Sequence, residues 1–234
     1  MGEGGRRLIL FDVDGTLITS GGRAGRALAA ALEATFGRAV PTGRFCYSGK
    51  TDPQIVFELM ELVGVPRDEV APRTVEIFPR YLRNLEEALQ PGSVTVLPGV
   101  GELLEALEQH EGVAVGLLTG NIEAGARIKL GVAGLERYFR VGAFGSDHEN
   151  RNMLVPVARG RAQQLWGEGF AGERTVVVGD AEADVLCARA AGARAVAVAT
   201  GWTSRAQLAA LHPDALLDSL APPAALRALL DGSG

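Results

Sequence analysis

Two aspartates spaced two apart, Asp12 and Asp14, follow the apolar run Leu8-Ile9-Leu10-Phe11 and precede Gly15-Thr16. The pair can supply a nucleophile, a proton-transfer group and half of a metal site at one strand end. Residues two apart on an extended strand point to the same side. Gly15 permits a sharp turn that lifts Asp14 over the strand tip. Carboxylates this close repel one another, and a bound cation relieves the repulsion. The plainer alternative is a strand that simply ends in an Asp-Gly turn.

Two further segments are built alike. Gly116-Leu117-Leu118-Thr119-Gly120-Asn121 closes an apolar run just before a helical pattern. A hydroxyl and free backbone N–H groups there can hold a phosphate, helped by the helix N-terminus. An ordinary helix N-cap at Thr119 or Asn121 is the competing reading. Val176-Val177-Val178-Gly179-Asp180 again ends in glycine and carboxylate, followed by Glu182 and Asp184. Asp180 at the strand tip is a candidate metal ligand, and Asp184 one turn later can bend back to it. Glu182 reads as a first-turn acid that complements the helix dipole.

These segments need strands to carry them. Besides residues 7–11, strand patterns cover 113–118, 141–144, 175–178 and 195–199. Helical patterns lie between them at 100–110, 122–130, 153–166 and 182–190. Near-continuous apolar strands alternating with helices predict a parallel sheet covered on both faces. Residues 23–36, 53–63 and about 68–89 read as helices with no comparable strand between them. They form an insertion after the first strand, flanked by Ser20-Gly21-Gly22 and Pro91-Gly92-Ser93, which suit a hinge.

The 234 residues are 47% hydrophobic, enough for a sizeable core, and no apolar run is long enough to span a bilayer. The start lacks a secretory pattern, and Arg6 breaks the acylation pattern that Gly2 would open. Cys46 and Cys187 lack metal-type spacing, and reduced thiols in a cytoplasmic protein are expected. A net charge of −5 gives nucleic-acid binding no support. Of 23 basic residues only Lys50 and Lys129 are lysines, so any role that needs lysine has few candidates.

Asp12-Val13-Asp14-Gly15-Thr16, Thr119, and Gly179-Asp180 with Asp184 together resemble the first, second and fourth motifs of the haloacid dehalogenase-like (HAD) hydrolase superfamily. The similarity spans the chain and points to phosphoglycolate-phosphatase-like members. It implies a Rossmann-like α/β core over 1–19 and 92–234, and a helical cap domain over 20–91. It also implies phosphoryl transfer to Asp12, with Asp14 as acid and then base. Mg2+ would be held by Asp12, the Asp14 carbonyl and Asp180, with Asp184 on the metal or orienting Asp180. Thr119, Gly120 and Asn121, with Gly15 and Thr16, would contact the phosphate.

The family's third motif is normally a lysine, yet no lysine follows Lys129. Arg151 stands where that lysine should be and is the expected cation, with Arg159 the competitor. The resemblance also points to the cap loop Ser48-Gly49-Lys50-Thr51-Asp52-Pro53. There Lys50 is a candidate for a substrate anion, and Thr51 or Asp52 a candidate N-cap. Arg23 and Arg26 near the hinge read mainly as surface charge.

The expected partner is a small phosphorylated metabolite, with no nucleic acid or membrane partner, in a monomer or homodimer. A sugar phosphomutase shares both aspartates and a cap. A phosphonate hydrolase would need Lys50 as its Schiff-base lysine. Asp14 argues against a dehalogenase, and a non-catalytic phosphate-ligand binding protein would be expected to lack Asp12, Asp14 or Asp180.

Overall fold

The computed structural model describes residues 5–230. Residues 1–4 and 231–234 lie outside the described residues, including the Met1-Gly2 start and the outer ends of the expected core segments.

In chain order the elements are β1 (Arg7–Phe11), β2 (Ile18–Thr19), α1 (Arg23–Phe36), α2 (Asp52–Leu62), α3 (Arg67–Val70), α4 (Thr74–Ala88), β3 (Thr95–Val96) and α5 (Val100–Glu108). There follow β4 (Val113–Thr119), α6 (Glu123–Ala133), β5 (Val141–Phe144), α7 (Leu154–Trp166), β6 (Thr175–Gly179) and α8 (Glu182–Ala190). The chain then forms β7 (Arg194–Val198), α9 (Arg205–Ala210), β8 (Ala215–Leu217) and α10 (Ala224–Leu230).

β1 lies between β4 and β6 in a six-stranded parallel sheet of order β5-β4-β1-β6-β7-β8. The chain builds outward to β5 on one side of β1, then crosses to β6 and builds outward on the other. The order therefore reverses at β1, and the crevice beyond its carboxyl end is where ligands bind in such sheets.

Both sheet faces are covered, which is why the strands are apolar between their ends. Ile9 and Phe11 of β1 face a core with Val100, Leu103 and Leu104 of α5, Ala126 and Leu130 of α6, and Leu229 of α10. Their neighbours Leu8 and Leu10 face the opposite core, with Leu154 and Ala158 of α7 and Val185 and Ala188 of α8. The two-residue alternation of an extended strand thus divides one pentapeptide between two cores.

Residues 23–88 form a helical layer with its own core, built around Leu28, Leu32, Val56, Leu59, Ile77, Tyr81 and Leu85. The antiparallel pair β2–β3 carries the chain into and out of it. Gly21, Gly22 and Gly92 beside that pair have positive φ. Arg23 ties the two crossings together, donating to the carbonyls of Ser20 at 3.1 Å and Ser93 at 3.3 Å.

The helix expected over about 68–89 is divided into α3 and α4 by a 3-10 turn at Ala71–Arg73. Pro72 lacks an N–H and cannot donate the i→i−4 bond that would continue α3, while Ala71 before it stays in the α region, so the chain tightens into a 3-10 turn. β2, β3, β8, α9 and α10 escaped the sequence reading because they are short and close no strong period. Among the described residues, no helix is long and apolar enough to cross a membrane.

Candidate active site

The carboxyl ends of β1, β4 and β6 converge on Asp12, Thr119 and Asp180. Asp12 prolongs β1, its N–H donating to the Val178 carbonyl at 2.9 Å. The chain then turns sharply, with Gly15 N–H on the Ile18 carbonyl at 2.8 Å and Leu17 N–H on the Val13 carbonyl at 3.0 Å. Gly15 is required twice. Its φ is +87°, and a Cβ there would lie 2.6 Å from Asp180 Oδ2. The Thr16 hydroxyl donates to Asp180 Oδ1 at 3.0 Å, so the turn after β1 also places the acid of β6.

Asp12, Asp180 and Asp184 are all buried and each offers a carboxylate oxygen within 4.8 Å of the others. Asp184 reaches the cluster from the first turn of α8, where its Oδ2 also accepts the Ala181 N–H at 3.0 Å. Glu182 is exposed and stands outside the cluster.

Arg151 is buried against these acids. Its Nη2 donates to Asp184 Oδ1 at 2.5 Å, Asp12 Oδ1 at 2.8 Å and the Leu118 carbonyl at 3.1 Å. Its Nε, also buried, has no hydrogen-bond partner among the described residues. Arg159 lies elsewhere, tying α7 to Thr175, Ala191 and Gly172.

Burial raises the Asp12 pKa to about 6 against the opposing pull of Arg151, with Asp184 adding to the rise. Asp180 is raised to about 8 by burial and by the charges of Asp12 and Asp184, against the Thr16 hydrogen bond and Arg151. Burial also works against the Arg151 charge, but Asp184 and Asp12 outweigh it and hold its pKa well above the ordinary value. Three buried acids sharing one guanidinium still favour further positive charge. Their clustered hard oxygens suit a small divalent cation such as Mg2+.

Asp14 turns away from this cluster. Its Oδ2 accepts from Asn121 Nδ2 at 2.8 Å and from Lys129 Nζ at 2.5 Å. Asn121 Nδ2 also meets Thr119 Oγ1 at 2.8 Å, and Lys129 Nζ also donates to Asn121 Oδ1. Neither Thr119 nor Asn121 caps α6. The N-cap is Ile122, whose hydrocarbon side chain has no acceptor to offer, while Asn121 one residue earlier is engaged by Asp14 and Lys129.

The helical layer closes over the same loop. Asp52 N–H donates to the Gly120 carbonyl at 2.7 Å, and Ile122 N–H donates to Asp52 Oδ2 at 2.8 Å. A Cβ on Gly120 would lie 2.0 Å from the Lys50 carbonyl oxygen, so that glycine lets the loop seat. Thr51 caps α2 by accepting Gln54 N–H and donates to the Glu149 carbonyl at 2.9 Å. Arg67 makes a bidentate pair with Glu149 beside it. Lys50 itself pairs with Glu58 and lies 4.9 Å over the Phe45 ring.

Lys129, Asp52 and Gly201 are site residues that sequence reasoning missed. A Cβ on Gly201 would lie 1.7 Å from Asp180 Oδ2. Asp52 reads only as a candidate N-cap, a place that Thr51 takes in the structure, and Gly201 carries no local signal. Lys129 carried one: a lone lysine beside the buried apolar positions Ala126 and Leu130 of one helix.

Residues 9–198 match the haloacid dehalogenase-like hydrolase family, and the chain belongs to that family. Among curated relatives, the phosphoglycolate phosphatase of Agrobacterium fabrum is 28% identical over 226 residues, 92% of this chain and 89% of its own. A plasmid-borne phosphoglycolate phosphatase of Cupriavidus necator is 31% identical over 213 residues, covering 91% and 89%. A solved structure of a predicted phosphatase from Clostridium acetobutylicum shares the fold, with a TM-score of 0.69 at 19% identity over 93% and 95% of the two chains. The chain is an enzyme, a phosphatase-type hydrolase.

Proposed function

We propose that this phosphatase hydrolyses a small phosphomonoester with the aid of a divalent cation, through a covalent phosphoryl intermediate on Asp12. The observation that carries the reading is the separation of the two aspartates. Asp12 lies in a buried acid cluster with Arg151, while Asp14, 39% exposed, stands apart on Asn121 and Lys129. One carboxylate is set for attack and the other for proton transfer.

Asp12 attacks phosphorus and the ester P–O bond breaks as Asp14 gives its proton to the departing oxygen. Asp14 then takes a proton from water as that water attacks the phosphorus, releasing inorganic phosphate and restoring Asp12. Asp12, Asp180 and Asp184, with the Asp14 carbonyl, are the groups that would hold Mg2+. That ion would offset the charge between an anionic nucleophile and an anionic phosphate. Arg151 donates to Asp12 and braces it for attack. Thr119 and the Gly15-Thr16 and Gly120-Asn121 turns would receive phosphate oxygens.

Residues 20–91 act as a cap that excludes water while the phospho-enzyme exists. The names of the relatives support a small acidic substrate such as 2-phosphoglycolate. A substrate anion reaching Lys50 must displace Glu58 from it.

The test is phosphate release from 2-phosphoglycolate, sugar phosphates and nucleoside monophosphates, with and without Mg2+. Wild type should turn over in Mg2+, and Asp12→Asn should lose about 10⁴-fold or more in kcat. No release by folded, Mg2+-supplied wild type would sink the reading, and phosphoryl return to a sugar would redirect it to a mutase.

A further inference from the structure

The proposed chemistry gives no role to Lys129, a buried cation in contact with Asp14. The Lys129 side chain is 3% exposed, and such a charge persists only where partners compensate its desolvation. Its partners are Asp14 Oδ2 at 2.5 Å and Asn121 Oδ1. The ammonium orients the Asn121 amide, whose oxygen faces Lys129 and whose NH2 group faces Asp14 Oδ2 and Thr119 Oγ1. Both donors thus fall on one oxygen of Asp14. The other, Oδ1, has no hydrogen-bond partner among the described residues, on a side chain that is 39% exposed.

We infer that Lys129 is a positioning residue for Asp14: with Asn121 it clamps Oδ2, so that Oδ1 is the atom presented to the leaving oxygen and then to water. The inference rests on the proposed role of Asp14 in proton transfer. A carboxylate free to rotate would offer either oxygen in many poses, and a misplaced acid loses much of its effect. The competing account is structural. Asp52 and Tyr81 of the helical layer share the same neighbourhood, and Lys129 would merely balance buried charge there.

The two accounts differ in how the loss depends on the leaving group. An alkyl phosphate needs a proton on its departing oxygen, whereas 4-nitrophenyl phosphate releases a stable phenolate without one. The ratio kcat/KM reports the steps through transfer to Asp12, so it isolates this demand. We would measure it for 2-phosphoglycolate and 4-nitrophenyl phosphate in Mg2+, with wild type, Lys129→Met and Lys129→Gln, normalised to folded protein.

Lys129→Met should lose about 10²-fold on the alkyl ester and less than about a tenth of that on the aryl ester. Lys129→Gln restores a donor and should regain part of the alkyl rate. Equal losses on both esters, or failure of both variants to fold, would overturn the assignment in favour of the structural account. A wild type inactive on both esters would instead overturn the phosphatase mechanism, and the assignment with it.

Discussion

At the scale of single residues, Arg151 sets the charge balance. One of its nitrogens, itself buried, meets two carboxylates and a carbonyl. Removing that charge leaves Asp12 and Asp184 buried without their cation. Arg151→Leu should therefore cost about 3–5 kcal/mol in metal-free protein, read by urea unfolding near neutral pH. Arg151→Lys keeps a point charge but loses the planar guanidinium, and should fall between the two in both stability and rate. A leucine variant as stable as wild type would show that the acids are balanced by something else.

At the scale of elements, the joint between α2 and the Gly120-Asn121-Ile122 turn decides how the helical layer sits on the core. Asp52 is buried there. Its carboxyl is raised to about 6 by burial, against the charge of Lys129 and the Ile122 N–H bond. Gly120 admits the Lys50 carbonyl to within a distance that no Cβ tolerates. Because the obstructing atoms are backbone, Gly120→Ala must push the 48–53 loop away rather than bend a side chain. A misplacement of this kind should lower kcat/KM by about 10²-fold, while the thermal midpoint of the sheet core changes little. Unchanged kinetics would mean that the loop need not seat for turnover.

At the scale of the whole molecule, the sheet gathers the carboxyl ends of β1, β4 and β6, and with them most of the negative charge that the fold must bury. Asp12, Asp52 and Asp180 all have folded pKa values above the ordinary 3.8, at about 6, about 6 and about 8. Acids raised in this way favour the folded state while protonated. Their contribution is complete below the unfolded pKa and is lost as pH climbs through the folded values. Metal-free protein should therefore lose stability steadily between about pH 4 and about pH 8. Mg2+ should offset part of the loss, adding about 2.7 kcal/mol at a hundred times its Kd. Thermal midpoints across that range, with and without Mg2+, check both statements, and a flat metal-free profile would contradict them.

The local patterns were legible because strand alternation and turn chemistry act over a few residues. Leu8 to Phe11, the Asp-Gly turn and the Val176-to-Asp180 run each declare a strand, its end and an acid at its tip. The insertion between the first two motifs was legible for the same reason, as helical periods without strands. Arg151 emerged from an empty motif position, and the fold brings it to Asp12 across 139 residues.

Only the tertiary structure decided what those strand ends meet. Lys129 lies 115 residues from Asp14, and a helical period tells which face turns inward but not which carboxylate waits there. Asp52 reads as a cap residue until the fold lays it on Ile122. Gly201 carries no signal at all until β6 and β7 lie side by side and Asp180 claims the space of its missing side chain. Spacing along the chain determines local conformation. Contacts between distant segments depend on the sheet order, and here that order reverses at β1.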